Sequence, residues 1–279
     1  MFQVKNMTEQ DLPFSVQITD QMNWGMIEDD FKFVLELEPE GCFVLFDGKE
    51  RVGIATTVSY GKIGWFGNLI VAESQRGKGA GSLLVKHSIK YLKSRGVETV
   101  GLYAYINKLP FYRRLGFEYD SNFSVLTGKG FSSPEEPSVT KAGRRDIQQI
   151  IDCDSSCFGA SRRRVLESIL DNPDNLGYVL TEGRKMVGFA LAKVWGSIAV
   201  LGPLVCPLGH NDVANKLLKT LLNELEGSEI SLCLPEKERS IINMLMSHGF
   251  VKSFDVARMF FHPKPVNDCV YLAESLERG

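Results

Sequence analysis

The sequence predicts an α/β (α+β) chain built twice, with two mixed sheets in series and helices on the faces of each. Three observations carry this. One set of residues recurs at a fixed offset, each half runs strands and helices in the same order, and a glycine-rich turn joins a strand to a helix in the first half. The repeat is anchored where Asp47-Gly48-Lys49-Glu50-Arg51-Val52-Gly53 aligns with Glu182-Gly183-Arg184-Lys185-Met186-Val187-Gly188, an offset of 135 residues. At that offset Asp11-Leu12 falls on Asp146-Ile147, Gly61 on Gly196, Gly67 on Gly202 and Leu69-Ile70 on Leu204-Val205. Gly116-Phe117 falls on Gly249-Phe250 at 133, so one small deletion separates the halves. The join lies in the Gly/Pro/Ser-rich run Thr127 to Pro137, which has linker chemistry. The expected division is a first domain over 1–128, a linker over 129–137 and a second domain over 138–279.

In the first half a helix is expected over about 8–21, with Thr8, Glu9 and Asp11 at its start. A second helix, over about 28–38, is led by Glu28, Asp29 and Asp30. Strands follow over about 42–47, 51–60 and 63–71, the first two joined by the hairpin signal Asp47-Gly48. The apolar run Leu69-Ile70-Val71 leads to Arg76-Gly77-Lys78-Gly79-Ala80-Gly81, and a helix from Ser82 runs to about Ser94 and stops at Gly96. A strand over about 97–103, a short helix over about 109–115 and a final hairpin complete the half.

Bulk properties narrow the function. Apolar content of 44% over 279 residues supports real cores, and a net charge of −2 points to neither nucleic acid nor membrane as partner. Met1-Phe2-Gln3-Val4-Lys5 lacks the basic flank and apolar core of a signal peptide, and no run of about 20 apolar residues spans a bilayer. The six cysteines, at 42, 153, 157, 206, 233 and 269, form no CxxC pair and read as buried free thiols in a reducing compartment, hence a cytoplasmic protein. The four histidines make no metal-ligand spacing with them, so no metal site is expected.

The glycine-rich turn is the most specific local signal. Between a strand and a helix it exposes backbone N–H groups at a positive helix N-terminus, which suits a pyrophosphate. Its glycines are spaced wrongly for a dinucleotide fingerprint, and no Gly-Lys-Ser/Thr closes it as a Walker loop would. A second motif, Asn107-Lys108-Leu109-Pro110-Phe111-Tyr112-Arg113-Arg114-Leu115-Gly116-Phe117, stands about 30 residues on.

In that order the two motifs closely resemble the GCN5-related N-acetyltransferases. Arg76-x-x-Gly79-x-Gly81 fits the family's Gln/Arg-x-x-Gly-x-Gly/Ala, and Asn107 with Phe111 to Phe117 fits its Asn followed by Phe-Tyr-x-x-Leu-Gly-Phe. The second half resembles the degenerate partner domain of two-domain members, through Asp154 to Arg162. The resemblance implies tandem folds, each a mixed, mostly antiparallel, splayed sheet flanked by helices. It implies acetyl-CoA as donor, its pyrophosphate on the amides of about Gly77, Lys78, Gly79, Ala80, Gly81 and Ser82, with Arg76 at the head of the loop. It implies a pantetheine arm paired like an extra strand beside Leu69, Ile70 and Val71, with Asn107 bonding the arm and Phe111 packing on it.

The chemistry needs a neutral amine, a polarised thioester carbonyl and a stabilised leaving thiolate. Backbone N–H near Val71 can serve the carbonyl. Tyr112, which the motif sets near the sulfur, is either the acid that protonates the thiolate or a ring packed on the cofactor. The fourth strand holds no carboxylate, and Asn68 can hold only a water. Glu28, Asp29 and Asp20 lie near the acceptor-side helices, but Glu28 and Asp29 suit the start of a helix and Glu73 is a solvated loop residue, so no base is assigned. Trp24 is expected to wall the acceptor pocket or to close the first helix pair. Lys78 belongs beside a phosphate, while Arg113 and Arg114 are solvated charges or phosphate contacts. In the second half Arg76, Gly79 and Gly81 become Asn211, Ala214 and Lys216, and Tyr112 becomes Leu245, so a second active site is not expected. Arg162 and Arg163 read as an anion-binding element facing the acceptor, or else as a basic helix face.

The expectation is an N-acetyltransferase acting on a small-molecule primary amine, with a homodimer as the oligomer allowed. A peptide acetyltransferase and a non-catalytic acyl-CoA sensor remain the alternatives.

Overall fold

A computed structural model describes residues 1–207, 209–265 and 269–279. The first half runs β1 (Phe2–Asn6), a 3-10 turn (Glu9–Asp11), α1 (Leu12–Asp20), α2 (Glu28–Leu37), β2 (Cys42–Asp47), β3 (Glu50–Ser59) and β4 (Ile63–Val71). It continues with α3 (Ala80–Ser94), β5 (Thr99–Tyr105), α4 (Leu109–Arg113) and β6 (Phe117–Lys129). The second half repeats every one of these strands and helices: β7 (Val139–Lys141), α5 (Ile147–Phe158), α6 (Arg163–Asp171), β8 (Leu176–Glu182), β9 (Lys185–Trp195), β10 (Ile198–Val205), α7 (Asn211–Glu224), β11 (Glu229–Pro235), α8 (Arg239–Ser247) and β12 (Val251–Phe261). A last strand, β13 (Val270–Leu272), has no counterpart in the first half.

The matched aspartates show why the repeat folds alike. The Asp11 carboxylate accepts from the Thr8 amide at 2.8 Å, and Asp146 accepts from the Gly143 amide at 2.8 Å, each capping the turn that starts the first helix. Asp11 also takes the Arg51 Nε at 2.6 Å, which ties that turn to β3. Asp30 caps α2 through the Ile27 amide at 2.9 Å, so the acidic run Glu28-Asp29-Asp30 is a helix start.

The strands form one 13-stranded sheet in the order β1-β2-β3-β4-β5-β12-β6-β11-β10-β9-β8-β7, with β13 beside β10. The pairs β4–β5 and β10–β11 are parallel, and the other named pairs are antiparallel. The final hairpin expected of the first half is absent. Its last strand, β6, is a single run of 13 residues, and the halves exchange their final strands. The strand β12 pairs with β5 from Val256↔Tyr105 to Phe261↔Val100 and with β6 on its other edge, while β6 pairs with β11 from Glu229↔Lys129 to Pro235↔Phe123. Two duplicated end strands offer β5 near-equivalent partners, and local pattern does not say which is taken. A register shift between Arg258 and Met259 leaves Asp120 as the extra residue of β6, where its carboxylate takes the Arg258 Nε at 2.7 Å and also pairs with Lys264.

Three main cores result. One lies between α3 and the first half's strands, around Leu84, Val85, Leu92 and Phe117, and one lies under α7, around Leu217, Leu221 and Phe250. The third is shared, with Phe31, Val34 and Ile54 of the first half packed with Ile150, Val165 and Phe189 of the second. The expectation of free thiols throughout is corrected by a Cys157–Cys269 disulfide that ties α5 to the segment before β13. Cys42, Cys206 and Cys233 are buried free thiols and Cys153 is half-buried. Burial, helped by Glu38, pushes the Cys42 thiol up to about 12.

Candidate active site

The strands β4 and β5 pair only from Ile63↔Thr99 to Trp65↔Gly101 and then diverge. The gap opens into a cavity of about 1160 Å³ that runs from the glycine loop, past β4, to the face of the second half. A bulge turns β4 at this point. The register with β3 slips between Ile54 and Thr56, and Asn68 sits at φ 48°, in the left-handed region. The Asn68 Nδ2 donates to Thr56 Oγ1 at 3.2 Å, while its Oδ1 is buried with no hydrogen-bond partner. Gly67, Asn68, Leu69, Ile70 and Val71 all line the cavity.

The loop that follows is shaped for an anion. Gly77 and Gly79 adopt φ 77° and 88°, and a Cβ at either would meet nothing within 4 Å, so open space lies over the loop. Leu83 N–H is taken up by Gly79 O at 3.0 Å; the amides of Ala80, Gly81 and Ser82 in the first turn of α3 precede it and have no intrahelical acceptor. The Arg76 Nε donates to Val71 O at 2.9 Å and clips the loop to the end of β4. The Ala80 methyl is in the core, so only its backbone faces the loop, and Lys78 extends to Gln75 Oε1 at 3.2 Å on the exposed side.

Phe111 and Tyr112, with Pro110 opening the short α4, stand across the gap. Their rings meet edge to face at 5.0 Å, and Tyr112 meets Phe117 at 5.7 Å. Burial pushes the Tyr112 phenol up from its usual value of about 10, which keeps it protonated at neutral pH. Asn107 is exposed and lies off the cavity wall, where the neighbouring Lys108 takes part instead. Trp24 lines the cavity, its Nε1 donating to Tyr105 Oη at 2.9 Å, and packs on the shared core.

The arginines of α6 are corrected. Arg162 is 1% exposed; its Nε and NH2 clamp the Asp154 carboxylate at 3.1 and 2.6 Å, NH1 donates to Gly279 O, and its guanidinium lies over the Phe158 ring at 4.3 Å. It is a structural clamp, buried among its protein partners and off the cavity. Arg163 pairs with Glu167 and Gln148 on the surface, and Arg164 donates to the carbonyls of Glu36 and Leu37 at the end of α2. Neither Arg162 nor Arg163 lines the cavity, and Arg113 and Arg114 are exposed away from it.

Sequence reasoning missed the C-terminal tail, 273–279. It leaves β13 and crosses to the first half, where Trp65 Nε1 donates to Leu276 O at 3.3 Å and Tyr60 Oη to Arg278 O at 2.9 Å. Glu274 is held by Lys193 Nζ at 2.6 Å and by Arg278 through two bonds of 3.0 Å. Burial opposes its charge, but Arg278 and then Lys193 outweigh that and hold the carboxyl far below the usual range. No motif marks these seven residues, whose composition is that of an ordinary charged end.

In the second half the corresponding gap is filled by the chain itself. Parallel pairing of β10 with β11 ends at Leu201↔Leu232, and β13 wedges in beyond it, pairing Leu204↔Leu272 and Val205↔Val270 while Ala273 N donates to Cys233 O at 2.9 Å. Leu204 and Val205 are the repeat equivalents of Leu69 and Ile70. Tyr271 Oη donates to Asn211 Oδ1 at 2.6 Å at the start of α7, where the first half has its glycine loop, and Ala214 and Leu245 are wholly buried. The second site is closed by its own peptide strand.

Comparison with known proteins agrees with this geometry. Residues 4–117 match the acetyltransferase (GNAT) family model and residues 150–271 an acetyltransferase (GNAT) domain model. A holothin acyltransferase from Pseudoalteromonas sp. (strain SANK 73390) is 24% identical over 261 residues, covering 92% of this chain and 87% of that one. A crystal structure from Pyrococcus horikoshii, of a protein assigned as an acetyltransferase, superposes with TM-score 0.83 at 21% identity, covering 100% of this chain and 96% of that one. A tandem GNAT protein from the clavulanic acid biosynthesis pathway superposes with TM-score 0.61 at 13% identity, covering 95% and 100%. With an open, glycine-looped gap in one half and a strand-filled gap in the other, this chain belongs to the GCN5-related N-acetyltransferase superfamily, as a two-domain member whose second domain is degenerate.

Proposed function

We propose that the chain moves an acetyl group from acetyl-CoA to a primary amine of a small molecule, at one site in the first half. The observation that carries this is the contrast between the two gaps. In the second half a peptide strand pairs with Leu204 and Val205, so that edge of the sheet accepts an extended, amide-bearing chain. The equivalent edge at Leu69 to Val71 lies open to the cavity, and a pantetheine arm is an extended chain with two amides that can pair along it. Its pyrophosphate then falls on the amides from Gly77 to Ser82, where the helix N-terminus favours negative charge.

The chain's own residues supply the rest. The bulge at Asn68 frees β4 backbone to hydrogen-bond the thioester oxygen as charge builds on it. Tyr112, kept protonated by burial, donates to the sulfur as it leaves. The tail and the second half's β9 and β11 wall the far side of the cavity, which favours a small acceptor over a long peptide. The relative named for acylating holothin supports a small acceptor as well.

The test is thiol release from acetyl-CoA over a panel of amines, with Tyr112→Phe alongside. Turnover is expected, and the variant should lose about 10²–10⁴-fold in kcat with its calorimetric affinity for CoA unchanged. CoA binding without turnover, over acetyl and longer acyl donors and the whole panel, would instead identify a sensor.

A further inference from the structure

Amine acylation needs a base, since an alkyl ammonium has no lone pair to attack with. The strand β4 supplies none. Among the described residues, three carboxylates line the cavity: Asp30, Glu274 and Glu277. Asp30 is occupied as the cap of α2. Glu274 is locked between Lys193 and Arg278 and held far below the carboxylate range, so it is too weak a base to keep a proton. No histidine lines the cavity, and the Cys233 thiol is pushed up by burial and by Glu277.

Glu277 differs from the other two. It is half-buried and makes no hydrogen bond or ion pair among the described residues, so its oxygens are available to a ligand. Its backbone is seated on β4, because a Cβ built on Gly67 would stand 2.7 Å from Glu277 Cα and 2.9 Å from its Cβ. Gly67 directly precedes the bulge residue Asn68, so the tail reaches β4 where the thioester is expected. The charged and titratable groups facing Glu277 are Lys193 from β9, Cys233 from β11 and Arg278 beside it on the tail; the adjoining residues of β4, Phe66 to Leu69, carry no charge.

We propose that the Glu277 carboxylate is the base that deprotonates the acceptor ammonium, so that the C-terminal tail completes a site whose own fourth strand lacks one. The inference rests on the amine-acyltransferase reading above. Glu277 takes one proton from R–NH3⁺. The freed lone pair forms the N–C bond to the thioester carbon as the C–S bond breaks, and the electron pair of that bond leaves on sulfur. The nitrogen sheds its second proton, the thiolate is protonated by way of Tyr112, and Glu277 returns its proton to solvent. The sum is R–NH3⁺ plus thioester giving amide, thiol and one H⁺.

The experiment compares wild type, Glu277→Gln and Glu277→Asp with acetyl-CoA and the best amine of the panel, over pH 6 to 10. The expected result is a loss of about 10²–10⁴-fold in kcat/KM for Glu277→Gln at neutral pH, with CoA affinity and Tm unchanged. That deficit should narrow as pH rises and the amine deprotonates unaided, and a weakly basic acceptor such as an acyl hydrazide, already neutral at pH 7, should escape it there. Glu277→Asp should keep part of the rate and the wild-type fall toward acid. A wild-type rate in Glu277→Gln, or a loss equal at every pH and for both acceptors, overturns the proposal. If wild type itself acylates no amine, the enzyme reading fails and the base fails with it. Amine turnover with an unaltered Glu277→Gln removes the base alone.

Discussion

Arg162→Met is the sharpest test of what the second half's arginines do. The Arg162–Asp154 pair has both side chains at 0% exposure and is bidentate, at 2.6 and 3.1 Å. Removing the guanidinium leaves a carboxylate in the core without a cation, which costs about 3–5 kcal/mol. For a chain of this size each kcal/mol lowers Tm by roughly 2–4 °C, so a fall on the order of 10 °C is expected by calorimetry or circular dichroism. Asp154→Asn combined with Arg162→Met removes both charges and should recover more than half of the loss. Arg163→Ala, which breaks only exposed contacts with Glu167 and Gln148, should shift stability by at most about 0.5 kcal/mol. The reasoning is refuted if Arg162→Met melts within about 2 °C of wild type. It is refuted equally if the variant raises the acceptor KM at unchanged Tm, since that is the behaviour of a ligand-binding arginine.

Calorimetry should find one CoA per chain, and Gly79→Asp should abolish it, because the change puts a side chain at φ 88° and a negative charge into the anion loop. Two sites per chain would mean that β13 leaves its gap. Glu274 has a depressed carboxyl, so its stabilisation is complete above its unfolded value of about 4.5 and is lost as pH falls toward its folded value. Acid denaturation of wild type should therefore steepen below about pH 4.5, and Glu274→Gln should flatten that limb while being less stable at neutral pH. A fragment of residues 1–128 lacks β12, the partner of β5 and β6, and should be aggregated or molten by heteronuclear NMR and bind no CoA. A dispersed spectrum with full activity would show that β6 can take the place of β12.

Much of this was legible in the chain. The strands β2, β3 and β4 and the helix after the glycine loop lie within a residue or two of where periodicity and turn signals put them, because those signals are local. The duplication was legible because Asp11/Asp146 cap the same turn and Gly48/Gly183 take the same left-handed conformation in each half, while Gly67 and Gly202 both lie where the backbone of the C-terminal segment leaves no room for a side chain. Arg76, Gly77, Gly81, Phe111 and Tyr112, named through the family resemblance of the two motifs, line one cavity, since a loop and a short helix set their positions. Lys108 in place of Asn107 is a matter of which side of one 3-10 turn faces the gap, and spacing does not decide that.

What the sequence alone determined was two equivalent sets of strands and helices and one intact glycine loop. Tertiary structure alone decided the exchange of β6 and β12, because two similar end strands compete for the same edge of β5 and the choice rests on contacts more than 100 residues apart. It decided that Arg162 meets Asp154 in the core, where a basic run in sequence reads as surface. It also decided that β13 fills one gap and that the following seven residues cross to the other, setting Glu277 against Gly67 at a sequence distance of about 210. No periodicity or spacing encodes a contact of that kind, which exists only once the two halves are packed.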